Sequence, residues 1–146
     1  MEIEIRRIIE KDYEQLIALF KEFALFEKLP EKMTNSVEQI KLEKDFFNCF
    51  VAVIDEKIVG YATYFFAYYS WSGKSLYLDD LYVNAEYRKQ GIGKKLLDTV
   101  IDLAKNKQCK KMRWQVSNWN KNAQKFYEYI GAEIDEVELN CDLKLT

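Results

Sequence analysis

Between Cys49 and Asn84 the chain is nearly unbroken strand-forming sequence, interrupted only by two short polar turns. Cys49 to Ile54 is apolar, Asp55-Glu56-Lys57 turns, and Ile58 to Tyr69 is a long run of Val, Tyr, Phe and Thr. Ser70 to Lys74 turns again, and Ser75 to Asn84 makes a third run. Strands joined by turns this short pair as an antiparallel meander. Whatever else the chain does must be built around that sheet.

The flanks read as helices and further strands. Ile3 and Ile5 alternate with charged neighbours, which predicts a short first strand. Asp12 is expected to cap a helix carrying Tyr13, Leu16, Ile17, Phe20, Phe23, Ala24 and Glu27 on one face, and Leu29-Pro30 to end it. Ser36 and Gln39 have capping-box spacing and open a second helix to about Phe47. After the meander, Leu96, Leu97, Val100, Ile101 and Ala104 mark a helix from Gly91 to Lys107. Lys110 to Ser117 is expected as a strand, Asn118 to Ile130 as a helix closed by Gly131, and Ala132 to Thr146 as one or two last strands. This order is mixed α/β, a central sheet with helices on both faces. Connections are short throughout, so residues 1–146 are expected to form a single domain.

The 146 residues contain no His, which removes Ser-His-Asp and Cys-His nucleophile systems and His-ligated metals. Proton transfer near neutrality therefore falls to Asp, Glu, Tyr, Cys, Lys or water. Net charge is −2, so no global basic field for nucleic acid exists, yet Asn84 to Arg113 carries +6 against −8 elsewhere. Cys49, Cys109 and Cys141 lack C-x-x-C spacing and are expected as reduced thiols of a cytoplasmic protein. The first residues are unlike a signal peptide, and the longest uncharged stretch, Ile58 to Gly73, is too short to span a bilayer.

Arg88-Lys89-Gln90-Gly91-Ile92-Gly93 joins a strand to a helix. Unpaired amides and the helix dipole favour an anion there, and glycine lets the backbone come close to it. The loop is neither a Walker loop nor G-x-G-x-x-G. In context, Tyr77 to Leu97, Y-L-D-D-L-Y-V-N-A-E-Y-R-K-Q-G-I-G-K-K-L-L, resembles the acetyl-CoA-binding core of the GNAT superfamily of N-acetyltransferases. A second block, Trp119-Asn120-x-x-Ala123-x-x-Phe126-Tyr127 before Gly131-Ala132, resembles that family too, and the element order matches from end to end. Val59-Gly60-Tyr61, Trp71-x-Gly73-Lys74 and Tyr77 to Asp80, with Lys21 to Glu27, are similar to its diamine (spermidine/spermine) and thialysine branch.

The resemblance implies the GNAT fold, with two parallel strands splayed to admit acetyl-CoA. It places the coenzyme on Leu81, Tyr82 and Val83, on Arg88, Lys89, Gln90, Gly91, Ile92, Gly93 and Lys94, and on Asn120, Ala123 and Tyr127. It makes Tyr127 the general acid and Asp79 the proton-accepting carboxylate, although the branch usually carries Glu there. Phe26, Glu27, Trp71, Asp79 and Asp80 match positions facing the acceptor amine. On a regular strand only one of Asp79 and Asp80 can face a cleft; a bulge would change that. Polyamine enzymes of the branch typically have an acid where this chain has Tyr69. The implied activity is acetyl transfer to a small primary amine, with no metal and with pairing as a homodimer. Acetylation of a protein lysine or N-terminus, and a coenzyme-A-binding module without turnover, stay open as alternatives.

Overall fold

The computed structural model describes residues 2–146, which divide into two compact units, one running as far as Trp114 and the other Gln115–Thr146. The first unit is built on a five-stranded sheet in which spatial order follows chain order: β1 (Glu4–Arg7), β2 (Asn48–Ile54), β3 (Lys57–Tyr69), β4 (Gly73–Val83) and β5 (Met112–Arg113). The first four pair antiparallel, as the meander requires, and β4 pairs parallel with β5. The turn between β2 and β3 puts Asp55 and Glu56 both at positive φ, the geometry of a tight hairpin.

Helices cover both faces. On one, α1 (Tyr13–Phe26) buries Leu16 and Leu19 against Cys49, Val51, Val53, Ile58, Tyr61 and Tyr82. Tyr13 and Ile17 close over Ile40 of α2 (Val37–Leu42). Ser36 caps α2 through the amide of Gln39, 3.1 Å away. On the other face, α3 (Ile92–Asn106) buries Leu96, Leu97, Val100 and Ala104. Gly60 lies beneath it, where an added Cβ would stand 3.0 Å from the Tyr82 carbonyl and 3.3 Å from Leu96.

Three sequence expectations are corrected. Asp12 does not cap α1: its carboxylate takes a two-pronged bond from Arg6 at 2.7 and 3.1 Å and one from the Ile9 amide at 3.0 Å. Burial opposes its ionisation, but the bonds from Arg6 and Ile9 prevail and hold its carboxyl below the usual range. The strand expected over Lys110–Ser117 shrinks to Met112–Arg113, because only Leu76 and Tyr77 of β4 pair with it. The final strands expected over Ala132–Thr146 do not form. Val137, Leu139, Cys141, Leu143 and Leu145 alternate as a strand should, yet no described strand pairs with them.

In the second unit α4 (Lys121–Tyr129) begins at Asn120, whose side-chain oxygen accepts the Ala123 amide. It ends at Gly131, φ +102°, with the Gly131 and Ala132 amides returning to the last turn.

Candidate active site

The pairing of β3 with β4 slips once. Thr63 faces Asp80 and Tyr64 faces Leu78, which leaves Asp79 as an extra residue with no partner across the ladder. The Thr63 hydroxyl braces the slip by accepting the Asp80 amide at 3.1 Å. The bulge defeats the alternation of a regular strand, and both carboxylates line one cavity of about 510 Å³. Glu27 at the end of α1 adds a third acid, while Phe20, Phe23 and Phe65 supply apolar wall. A volume of that size suits a small molecule.

The acids strain against one another. Desolvation, then the charges of Asp79 and Glu27, push the Asp80 carboxyl up to about 7. Desolvation also raises Asp79. Two adjacent carboxylates titrate as a pair, so the site gains and loses a proton close to neutral pH. A protein without His thus acquires an acid–base group in the working range.

Beyond Tyr77 the parallel ladder stops, and β4 runs from Leu78 to Val83 with no described strand on that edge. The Asn84 amide donates to Val59, and alternation in an antiparallel pair then turns the Val83 N–H away from β3, toward the open edge. Tyr82 points the other way: its ring stacks on Phe23 at 4.9 Å and its hydroxyl donates to Glu22, which also receives Asn84 at 2.8 Å. By the same alternation the Tyr82 amide and carbonyl face β3, and the open edge next to Val83 belongs to the Leu81 backbone.

The loop after β4 delivers a helix N-terminus beside that strip. Gly91 precedes α3 at φ +78° and brings no side chain to cap the first amides. A Cβ there would meet nothing within 4 Å, and one on Gly93 would lie 3.7 Å from Val83. Glycine is therefore demanded at 91 by conformation, while the space above it stays open for a guest. Ile92 is buried and contributes only its amide. Lys94 pairs with Asp98 at 2.7 Å. Arg88 is committed locally, with Nε on the Val83 carbonyl at 3.1 Å and its guanidinium over the rings of Phe26 at 4.7 Å and Tyr82 at 5.2 Å. Phe26 thus holds Arg88 instead of lining the acid cavity. Trp71 stands fully exposed in the turn between β3 and β4, outside that cavity.

In the second unit Tyr127 packs against Phe126, 5.7 Å between ring centres, and burial raises its phenol above the ordinary value. Two residues escaped the sequence reading. Tyr61 and Thr63 both line the cavity, and the only early signal was their place on a strand whose partner carries the acids.

The pattern of the acetyltransferase (GNAT) family matches residues 7–132. The mouse (Mus musculus) thialysine N-epsilon-acetyltransferase is 38% identical over 141 residues, covering 88% of this chain and 83% of that protein. Human (Homo sapiens) spermidine/spermine N(1)-acetyltransferase-like protein 1 is 31% identical over 140 residues, 88% of this chain and 20% of that protein. Among solved structures, an aminoglycoside acetyltransferase from an uncultured soil metagenomic sample superposes with a TM-score of 0.79 at 28% identity, over 97% of each chain. A mixed sheet with a parallel β4–β5 pair and helices on both faces is the fold of an N-acetyltransferase. The chain belongs to the GNAT family, and within it resembles the thialysine and spermidine/spermine branch.

Proposed function

We propose that the protein carries an acetyl group from acetyl-CoA to a primary amine of a small, lysine-like molecule by direct attack in a ternary complex. The slip in β4 that turns Asp79 and Asp80 into one cavity carries this reading. An amine with pKa near 10.4 is neutral in only about one molecule in 2,500 at pH 7, so the site must remove a proton before nitrogen can attack. The Asp79–Asp80 pair is the acceptor, with Asp79 in the family's base position and Asp80 tuned to about 7. Glu27 adds negative charge that draws the ammonium in.

The residues around the open edge suit the coenzyme. The uncapped amides from Ile92 onward and the clear space over Gly91 suit a diphosphate, with Lys89, Gln90 and Arg88 at the rim. The Val83 amide, turned to the free edge with the Leu81 backbone alongside, suits a thioester carbonyl and its developing negative charge. When bound, acetyl-CoA supplies an activated acyl group. Motif position assigns Asn120 and Ala123 to coenzyme contacts and Tyr127 to protonation of the departing sulfur. The raised phenol keeps its proton until it is needed.

The acceptor class follows from Tyr69. Where polyamine enzymes of the branch carry an acid, this ring lies under two cations, Arg113 at 4.5 Å and Lys111 at 4.9 Å. These three residues lie outside those lining the acid cavity, so the preference for a lysine-like amino acid over a polyamine rests on the absence of an acid at that branch position. The mouse relative's name, thialysine acetyltransferase, agrees with that preference.

Acetyl-CoA consumption with thialysine, lysine, ornithine, spermidine and short lysine peptides tests the reading. Faster turnover of the amino acids than of spermidine is expected. Preference for peptides, or coenzyme binding with no turnover on any amine, overturns it. Tyr127→Phe is expected to lower kcat about 100-fold with the acetyl-CoA dissociation constant unchanged. Equal kcat in parent and variant across pH 6–9 removes Tyr127 from the mechanism.

A further inference from the structure

Tyr61, in the middle of β3, is 0% exposed, and its hydroxyl has no hydrogen-bond partner among the described residues. Buried hydroxyls nearly always find partners, and leaving one unmet costs about 1–3 kcal/mol. Packing does not explain the oxygen. The ring sits edge-on to Phe20 at 5.0 Å and tilted to Tyr82 at 6.2 Å, contacts a phenylalanine would keep. The same residue lines the cavity holding Asp79 and Asp80.

The surrounding groups narrow its use. From α1 come Phe20, Phe23 and the carboxylate of Glu27. From β2 comes the Cys49 thiol, which burial keeps protonated. On β3 itself, Thr63 already accepts the Asp80 amide, and the Tyr64 hydroxyl accepts from Arg7 at 3.0 Å. From β4 come Tyr82, whose hydroxyl is spent on Glu22, and the two aspartates, whose charges bear on the Tyr61 hydroxyl with Asp80 the stronger. Burial holds the Tyr61 phenol far above its ordinary value, so it stays a donor. A buried donor with no acceptor thus belongs to the wall of a cavity that holds acids it does not touch.

We propose that Tyr61 is a positioning residue for deprotonation of the acceptor: its hydroxyl and the Asp79–Asp80 carboxylates bracket the small polar group through which the ammonium proton leaves. The inference rests on the acceptor reading of the cavity given above. That group accepts from the phenol and donates to a carboxylate, as a water molecule between the ammonium and the acids can. The substrate N–H bond breaks, its electron pair stays on nitrogen for the attack, and the proton ends on an aspartate, which becomes a carboxylic acid. The phenol keeps its own proton.

Tyr61→Phe removes one oxygen and no protein contact, so a structural role predicts no kinetic change. With lysine or thialysine as acceptor, the variant is expected to lose about tenfold in kcat/KM at pH 7, the scale of one hydrogen bond. Its acetyl-CoA dissociation constant and thermal unfolding should match the parent. The acidic limb of kcat/KM should move to higher pH, since the water that donates to the ionised pair loses the phenol that held it, and the deficit should shrink as pH nears the pKa of the amine. Asp80→Asn runs in parallel. Parent-like rates and pH profile in Tyr61→Phe, with Asp80→Asn impaired, overturn the role of Tyr61 alone. Parent-like behaviour in both variants overturns it together with the carboxylate reading.

Discussion

Asp80 is useful because it is uncomfortable. In the folded chain its carboxyl is pushed up to about 7, whereas unfolded it returns to the ordinary range near 3.8. The folded state therefore holds a proton that the unfolded chain releases as pH rises through that window, and stability falls across it. Asp80→Asn lacks this liability. Chemical denaturation should show the variant level with the parent near pH 4 and more stable by about 1–3 kcal/mol at pH 8, while its turnover collapses. No gain at pH 8 would mean the carboxyl is at ease in its pocket. Asp12 runs the opposite way: held low by Arg6 and Ile9, it supports the fold above its unfolded pKa and loses that support as acid protonates it. One carboxylate anchors the strand-to-helix junction and the other lines a cavity and stands half-ready to hold a proton, a division invisible in composition.

At the level of elements, α3 and the loop before it were readable in advance. Leu96, Leu97, Val100 and Ala104 do face inward, and Gly91 does adopt a conformation that side chains resist. Gly91→Val is expected to act in two separable ways, on the backbone and on acetyl-CoA binding, because the added Cβ meets no protein atom. Backbone strain at φ +78° is expected to remove about 1–3 kcal/mol of stability. Gly91→Asn, which tolerates that conformation, should unfold nearly like the parent yet still bind the coenzyme several-fold more weakly by calorimetry. Full affinity in the Asn variant would clear the space above residue 91 of any phosphate. The paired aspartates were less readable. Strict alternation sends one of them outward, and the slip that recruits both depends on Tyr64 meeting Leu78 across the hairpin, information held on another strand. Tyr61 was hidden for the same reason. The over-long strand at Lys110–Ser117 and the absent ones after Ala132 share a cause: a strand-forming pattern describes one edge, and a ladder needs two.

Across the whole molecule, family and fold follow from the first unit and from the match over residues 7–132, and no helix among the described residues is long and apolar enough to cross a membrane. In the second unit, Val137, Leu139, Leu143 and Leu145, at alternating positions in the sequence, are each more than four-fifths exposed. Together with the branch resemblance, those exposed apolar side chains lead us to expect a homodimer. Light scattering should give twice 17.4 kDa at micromolar concentration, and truncation before Val137 should halve it. A single-copy mass for the full chain at every concentration rejects the pairing. The bulge itself has an unsettling corollary. Delete Asp79, and the ribbon from Tyr61 to Tyr82 would knit into uninterrupted register, tidier than its parent. Such a chain would pass every assay of folding while having traded two inward acids for one, so the lesion would surface only when someone offered it an amine.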